Sequence, residues 1–209
     1  MVGLERTIEA VTGQSPGRAQ LDQFARYLQL ILTWNRVQRL TGSRDANGIV
    51  RDLFGDSILY LSQIPQETRR ILDLGSGQGI PGLPIHITWP HTSMTVVEAK
   101  GKRVSFLLTV RRELGLSGAT VLEGRAEILI QGRPELKGSF DAVVSRSVGP
   151  SLLESAQEYL RPGGLYVCGA SPPGPVPEQV SGIVEATRSS LSISKLGIER
   201  SFVIARRPA

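Results

Sequence analysis

The chain has 209 residues, 40% hydrophobic and 21% charged, with a net charge of +5, which is enough for one domain with a small extra lobe. No run approaches the roughly 18 apolar residues of a membrane span, and no apolar segment follows a basic N-terminus as in a signal peptide, so a soluble, cytoplasmic protein is expected. A single cysteine, Cys168, excludes an intramolecular disulfide, and two histidines, His86 and His91, are too few for a convincing metal site, so no metal is expected.

The first 68 residues read as a helical cap. Leu21, Phe24, Leu28, Ile31 and Leu32 recur at three- and four-residue steps, and Tyr27, Leu30 and Trp34 widen the stripe. A second helical run starts at Asp45, a suitable N-cap, and sets Ile49, Val50, Leu53 and Ile58 on one side. Both runs read first as scaffold.

From residue 69 the pattern alternates. "RRILDL" (69–74) predicts a strand, followed by a glycine loop and a short helix. "MTVVE" (94–98), "TVLEG" (120–124), "FDAVVS" (140–145) and "LYVCG" (165–169) predict further strands, with helices over 102–116 and 151–160 between them. This spacing predicts a parallel sheet covered on both faces. "LSISKLG" (191–197) and "ERSFVIARR" (199–207) have only a turn between them and predict an antiparallel pair at the sheet end. The Pro-rich "SPPGPVPEQV" (171–180) predicts a loop too short to separate domains. The expected architecture is one α/β domain over residues 1–209, with a helical cap (1–68) on a doubly wound core (69–209).

"ILDLGSGQGIPGLP" (71–84) is the most informative stretch. A glycine turn after the first strand lies at the carboxyl edge, where such sheets bind ligands, and glycine lets a ligand touch the backbone. The nicotinamide dinucleotide fingerprint wants G-x-G-x-x-G/A, whereas Gly75, Gly77 and Gly79 run G-x-G-x-G and are followed by Ile80. With Asp73 two places ahead, the loop resembles the S-adenosylmethionine loop of Rossmann-like class I methyltransferases. Glu98 closes the second strand where a carboxylate can accept from both ribose hydroxyls, or be a surface strand-end glutamate. Ala126 and Glu127, after the third strand, fall where an adenine edge would lie, and Glu127 also suits a helix N-terminus.

A narrower resemblance joins these pieces. "WNRVQRLTGSRD" (34–45), "DLGSGQGIPGLP" (73–84), "EAKGKRVSFL" (98–107), "GRAE" (124–127), "VVSRS" (143–147) and "PGG" (162–164) occur in order. Together they resemble the bacterial small-subunit ribosomal RNA methyltransferase G family, also called the glucose-inhibited division protein B family. The resemblance implies methyl transfer from S-adenosyl-L-methionine to N7 of a guanine in 16S rRNA. The partner it implies is 16S rRNA or the precursor of the small ribosomal subunit, and a monomer is expected. It places Gly75, Ile80, Ala126, Glu127 and Arg146 against the cofactor and gives Glu98 the acidic ribose position. Asn35 and Arg44 match its RNA-facing stretch. Three positions depart from the pattern. Leu53 stands where the family usually has histidine, Ser147 where it has alanine, and Gly169 where it has lysine.

The chemistry agrees with what the chain lacks. Guanine N7 already has a lone pair, so alignment and electrostatics suffice. No Asn/Asp-Pro-Pro-Tyr/Phe follows the fourth strand, as amino-group methyltransferases require. Cys168 is the one candidate nucleophile for a pyrimidine C5 reaction, or else a small buried strand residue. Arg146 is set to orient guanine O6 or hold a carboxylate, or is paired with a nearby acid. Lys100, Lys102 and Arg103, with Arg111 and Arg112 beyond them, are candidate phosphate contacts. Two other readings stay open. One is a methyltransferase of another RNA position or a small molecule. The other is a non-catalytic ribosome-assembly factor with this fold.

Overall fold

The computed structural model describes residues 1–38, 40, 42, 45–146, 150–170 and 186–209. Arg44, Ser147 and the Pro-rich stretch 171–180 lie outside the described residues.

The N-terminal region is helical, as expected. α1 (Val2–Thr12) ends on Gly13, and α2 (Arg18–Gln38) is the long amphipathic helix. Asp45 accepts from the Gly48 amide at 2.8 Å and so caps α3 (Ala46–Ile49), a contact typically worth ~1 kcal/mol. The run is not one regular helix. It widens into a π-helical turn (Val50–Gly55), returns to α4 (Asp56–Ile58), and tightens into a 3-10 turn (Leu59–Ser62).

Among the described residues, seven strands form one sheet in the order β3-β2-β1-β4-β5-β7-β6. They are β1 (Arg70–Leu74), β2 (Ser93–Glu98), β3 (Ala119–Glu123), β4 (Phe140–Ser145), β5 (Leu160–Ala170), β6 (Ala186–Ile193) and β7 (Ile198–Arg206). The crossovers carry α5 (Gly82–Thr88), α6 (Gly101–Glu113), α7 (Ala126–Gly132) and α8 (Pro150–Tyr159). β1 to β5 pair in parallel, while β7 pairs antiparallel with both β5 and β6. The fold is a mostly parallel, Rossmann-like sheet with an antiparallel C-terminal hairpin.

Alternation decides which face each side chain serves. Ile71, Val96, Ala142 and Val144 join one core with α2, α5 and α6, while Leu72, Leu74, Val97 and Val143 join the other with α7 and α8. Phe24, Tyr27 and Ile31 of α2 are fully buried in the first core, each adding roughly 1.5–3 kcal/mol of burial.

Several boundaries differ from expectation, among them the start of β6 at Ala186 rather than 191 and the end of α6 at Glu113 rather than 116. The hairpin turn sits earlier, because β6 ends at Ile193 and residues 194–196 form a 3-10 turn closed by left-handed Gly197. β5 begins at Leu160 rather than 165, since the Pro-Gly-Gly turn is an irregularity within the strand, with Gly163 at φ 74°.

Candidate active site

Because β1 to β4 run parallel, their carboxyl ends share one edge. The strand order reverses direction at β1/β4, which is where sheets of this kind open a crevice. The glycine loop leaves β1 there, Glu98 ends β2, Ala126 follows β3, and Arg146 follows β4.

The loop is folded by two carboxylates. Asp73 Oδ2 accepts from Ser76 Oγ at 2.7 Å and from the Gly82 amide at 2.9 Å. Burial pushes the Asp73 carboxyl up to about 7, against the opposing pull of Ser76, Gly82 and Arg146. Its Oδ1 is buried and has no hydrogen-bond partner among the described residues. Glu98 accepts from the Gly77 amide and from the Lys100 amide, each at 2.9 Å, one at each oxygen. Arg103 Nη1 lies 3.6 Å from Glu98 Oε2.

The three glycines serve different needs. All have positive φ, at 70° for Gly75, 61° for Gly77 and 90° for Gly79. A Cβ at Gly75 would meet nothing within 4 Å, and one at Gly77 only Arg103 Nη1 at 3.9 Å. The space above both is open. A Cβ at Gly79 would collide with Tyr27 Oη and stand 2.6 Å from Leu83 Cδ1. Gly79 is therefore required by packing. Ile80 is likewise 4% exposed and packs in the core.

Tyr27 was legible only as a member of the apolar stripe, yet its hydroxyl donates to the Gln78 carbonyl and clamps α2 onto the glycine loop. Its ring packs on Phe54 and Phe106. Trp34 meets Phe106 edge-on at 5.3 Å and is half-buried against the core, and Asn35 is half-buried beside it. On the far side of the crevice Ala126 is buried, its carbonyl accepting from Tyr159 Oη at 2.7 Å, and Glu127 is exposed in the first turn of α7. Lys100 and Lys102 are exposed, while Arg103 is half-buried against Glu98.

Arg146 is paired with an acid. Its Nη2 lies 3.4 Å from Asp56 Oδ2 and donates to the Asp52 carbonyl at 3.3 Å. Leu53 is buried in the core of the cap. At Gly169 a Cβ would meet Tyr60 Oη and stand 2.7 Å from Arg200 Nη2, so no larger side chain fits there. Cys168 is fully buried, and burial pushes its thiol up, which is the opposite of what a nucleophilic thiolate needs.

A family model described as rRNA small subunit methyltransferase G (GidB) matches residues 20–169. The chain belongs to this family. A Ribosomal RNA small subunit methyltransferase G from Streptococcus pneumoniae serotype 19F is 33% identical over 193 residues, covering 90% of this chain and 79% of the relative. One of the same name from Streptococcus equi subsp. zooepidemicus is 38% identical over 131 residues, covering 62% of this chain and 55% of the relative. The matched part of this chain thus spans just over half the length of that second relative. Among solved structures, the O-methyltransferase TomG from Streptomyces achromogenes, in complex with SAM, aligns with a TM-score of 0.57 at 18% identity over 93% of this chain and 92% of its own. The O-methyltransferase from Bacillus cereus, in complex with SAH, aligns with a TM-score of 0.57 at 19% identity over 87% and 90%. At these identities the likeness is one of fold. Among the described residues of this family member no helix is long and apolar enough to cross a membrane, and no cluster of His, Cys, Asp or Glu is placed to hold a metal ion.

Proposed function

We infer that this methyltransferase G family member transfers a methyl group from S-adenosyl-L-methionine to N7 of a guanine in 16S rRNA. The observation that carries the reading is the open backbone cradle at Gly75 and Gly77, bordered by the Glu98 carboxylate at the point where the sheet order reverses. A cofactor without a pyrophosphate fits a loop that offers open backbone rather than a helix N-terminus.

Each residue then has a task. Gly75, Gly77 and Gly79 shape the cradle, and buried Ile80 fixes where it ends. Glu98 keeps acceptor capacity for ribose hydroxyls, because each carboxylate oxygen has two lone pairs and spends one on a backbone amide. Ala126 and Glu127 border the adenine edge. Arg146 donates to guanine O6 and turns N7 toward the cofactor. Exposed Lys100 and Lys102 take phosphates of the RNA, while Arg103, read with them from the sequence, is turned against Glu98 and steadies that carboxylate.

When bound, S-adenosyl-L-methionine supplies a methyl group on a sulfonium. N7 already has a free lone pair, so no side chain need act as base, and the protein's contribution is alignment and a water-poor, electrostatically suited crevice. The substrate is 16S rRNA or the small-subunit precursor, met in the cytoplasm by a monomer. Residues 1–209 act as one domain, a reading supported by the core that α2 shares with the sheet. Incubating the protein with small ribosomal subunits and methyl-labelled cofactor, then digesting the RNA, tests the reaction. Label in 7-methylguanosine is expected. Label in 5-methylcytidine, or none, would overturn it.

A further inference from the structure

Asp56 sits between two arginines from distant parts of the chain. Its Oδ2 lies 3.4 Å from Arg146 Nη2, and its Oδ1 lies 3.0 Å from Arg200 Nε. Arg200 Nη2 also reaches Asp56 Oδ2 at 3.3 Å. Asp56 and Arg200 are largely enclosed, at 14% and 15% exposed, while the Arg146 side chain is 35% exposed. Burial pushes the Asp56 carboxyl up, while the charges of Arg200 and Arg146 pull it back.

The backbone beside Asp56 holds the same arginine. In an α-helix the Asp56 amide would bond the Asp52 carbonyl four residues back. In the π-helical turn it bonds the carbonyls of Arg51 and Leu53 instead. The Asp52 carbonyl accepts from Arg146 Nη2 at 3.3 Å. π-helical turns often stand at functional sites, because the widened register redirects a backbone group. Here the Asp52 carbonyl of the turn and the carboxylate of Asp56, the residue that caps it, converge on one nitrogen of Arg146. A guanidinium has five N–H donors, so holding it at one corner is compatible with presenting another edge.

This cluster borders a cavity of about 660 Å³, lined by Leu4, Asp52, Asp56, Arg146, Ile198 and Arg200 among others. The Asp52 carboxylate at its rim is itself paired with Arg51 at 2.6 Å. The side chains lining the cavity balance in charge, with Arg51, Arg146 and Arg200 against Asp52, Asp56 and Glu199, so what this wall offers an electron-rich base edge is the directed N–H donors of Arg146 rather than a positive field.

We propose that Asp56, at the end of the π-helical turn, is a positioning residue for methyl transfer: it fixes the Arg146 guanidinium in the orientation that receives the target guanine. The proposal rests on the substrate role of Arg146 given above. Asp56 itself touches neither substrate nor cofactor.

Asp56→Asn keeps the shape and removes the charge. Its S-adenosyl-L-methionine affinity should match the wild type, while its melting temperature should fall, because the enclosed Arg200 guanidinium loses its counter-charge. Methylation of small subunits lacking the modification should fall about tenfold or more in kcat, with a smaller change in KM. Placed on Arg146→Ala, Asp56→Asn should add no further loss, since it acts through that arginine. Losses that multiply instead would overturn the proposal. If Arg146→Ala loses activity while Asp56→Asn keeps it, the positioning claim fails and the role of Arg146 stands. If Arg146→Ala is as active as the wild type, both fail. A crystal structure of Asp56→Asn gives a readout independent of turnover: the Arg146 guanidinium should leave the Asp52 carbonyl, and a hydrogen bond retained at 3.3 Å would overturn the proposal. Should Asp56→Asn not fold, Asp56→Glu, with the charge moved out by one methylene, enters the same cycle. It should lose part of the activity, and full activity with a displaced Arg146 would overturn the claim.

Discussion

Gly77 and Gly79 stand two residues apart and should fail in different ways. Gly77→Leu places its side chain in open space above the loop, so cofactor binding should be lost while most of the fold survives, at a cost of roughly 1–2 kcal/mol for the left-handed backbone. Gly79→Ala meets Tyr27 and Leu83 and should lower stability by roughly 1–3 kcal/mol or more. Calorimetric titration and thermal melting of the two variants separate these outcomes. Normal binding of S-adenosyl-L-methionine by Gly77→Leu would show that the open space above the loop is not the cofactor cradle. Asp73 gives a prediction in pH. Its native carboxyl titrates at about 7, above the ordinary carboxylate value. Between the two values the folded protein holds a proton that the unfolded chain has released. Stability should therefore fall as pH rises from about 4 to about 7, and Asp73→Asn should flatten that fall. Urea unfolding at about pH 5 and about pH 8 checks it. An equal fall in the variant would place the titrating group elsewhere. At this scale the glycines, Asp73 and Glu98 were legible because a loop fold is local. What Glu98 touches was not, since its partner amide on Gly77 lies 21 residues away.

The elements around the site divide labour in a way that charge counting alone could not reveal. On α6, Lys102 is exposed while Arg103 lies against Glu98. Neutralising Lys100 and Lys102 should reduce the salt dependence of RNA binding by roughly 0.7–0.9 in log–log slope for each phosphate that these lysines neutralise. Arg103→Ala should chiefly weaken cofactor binding, because its removal frees Glu98. Filter binding across a salt series distinguishes them, and an unchanged slope in the Lys100/Lys102 variant would mean that this edge of α6 does not meet RNA. The existence of α2, α6 and the central strands followed from apolar periodicity. The π-helical turn did not, because Ile49, Leu53 and Ile58 suit a regular helix equally well. The start of β6 at Ala186 was missed because alternation there is weak, with mostly exposed and half-buried residues along the strand.

Across the whole molecule, the alternation of strands and helices predicted a parallel sheet, and the chain's end predicted an antiparallel pair. That β7 inserts between β5 and β6 is a tertiary outcome: β7 carries Phe202, Val203 and Ala205 into the cores and so takes the inner place, while β6 remains the edge. The same insertion brings Arg200 to Asp56 across 144 residues, a contact invisible to any local pattern. The cap, the glycine loop and two arginines therefore meet at one edge of the sheet, and the function assigned to that edge stands on which base and which atom are modified. The direct measurement is reduction and aniline scission of 16S rRNA, with nucleoside mass spectrometry, from cells with and without the gene. One strand break and one 7-methylguanosine are expected, and both should vanish without the gene. An unchanged 7-methylguanosine content, or a gene-dependent 5-methylcytidine in its place, would contradict methyl transfer to guanine N7.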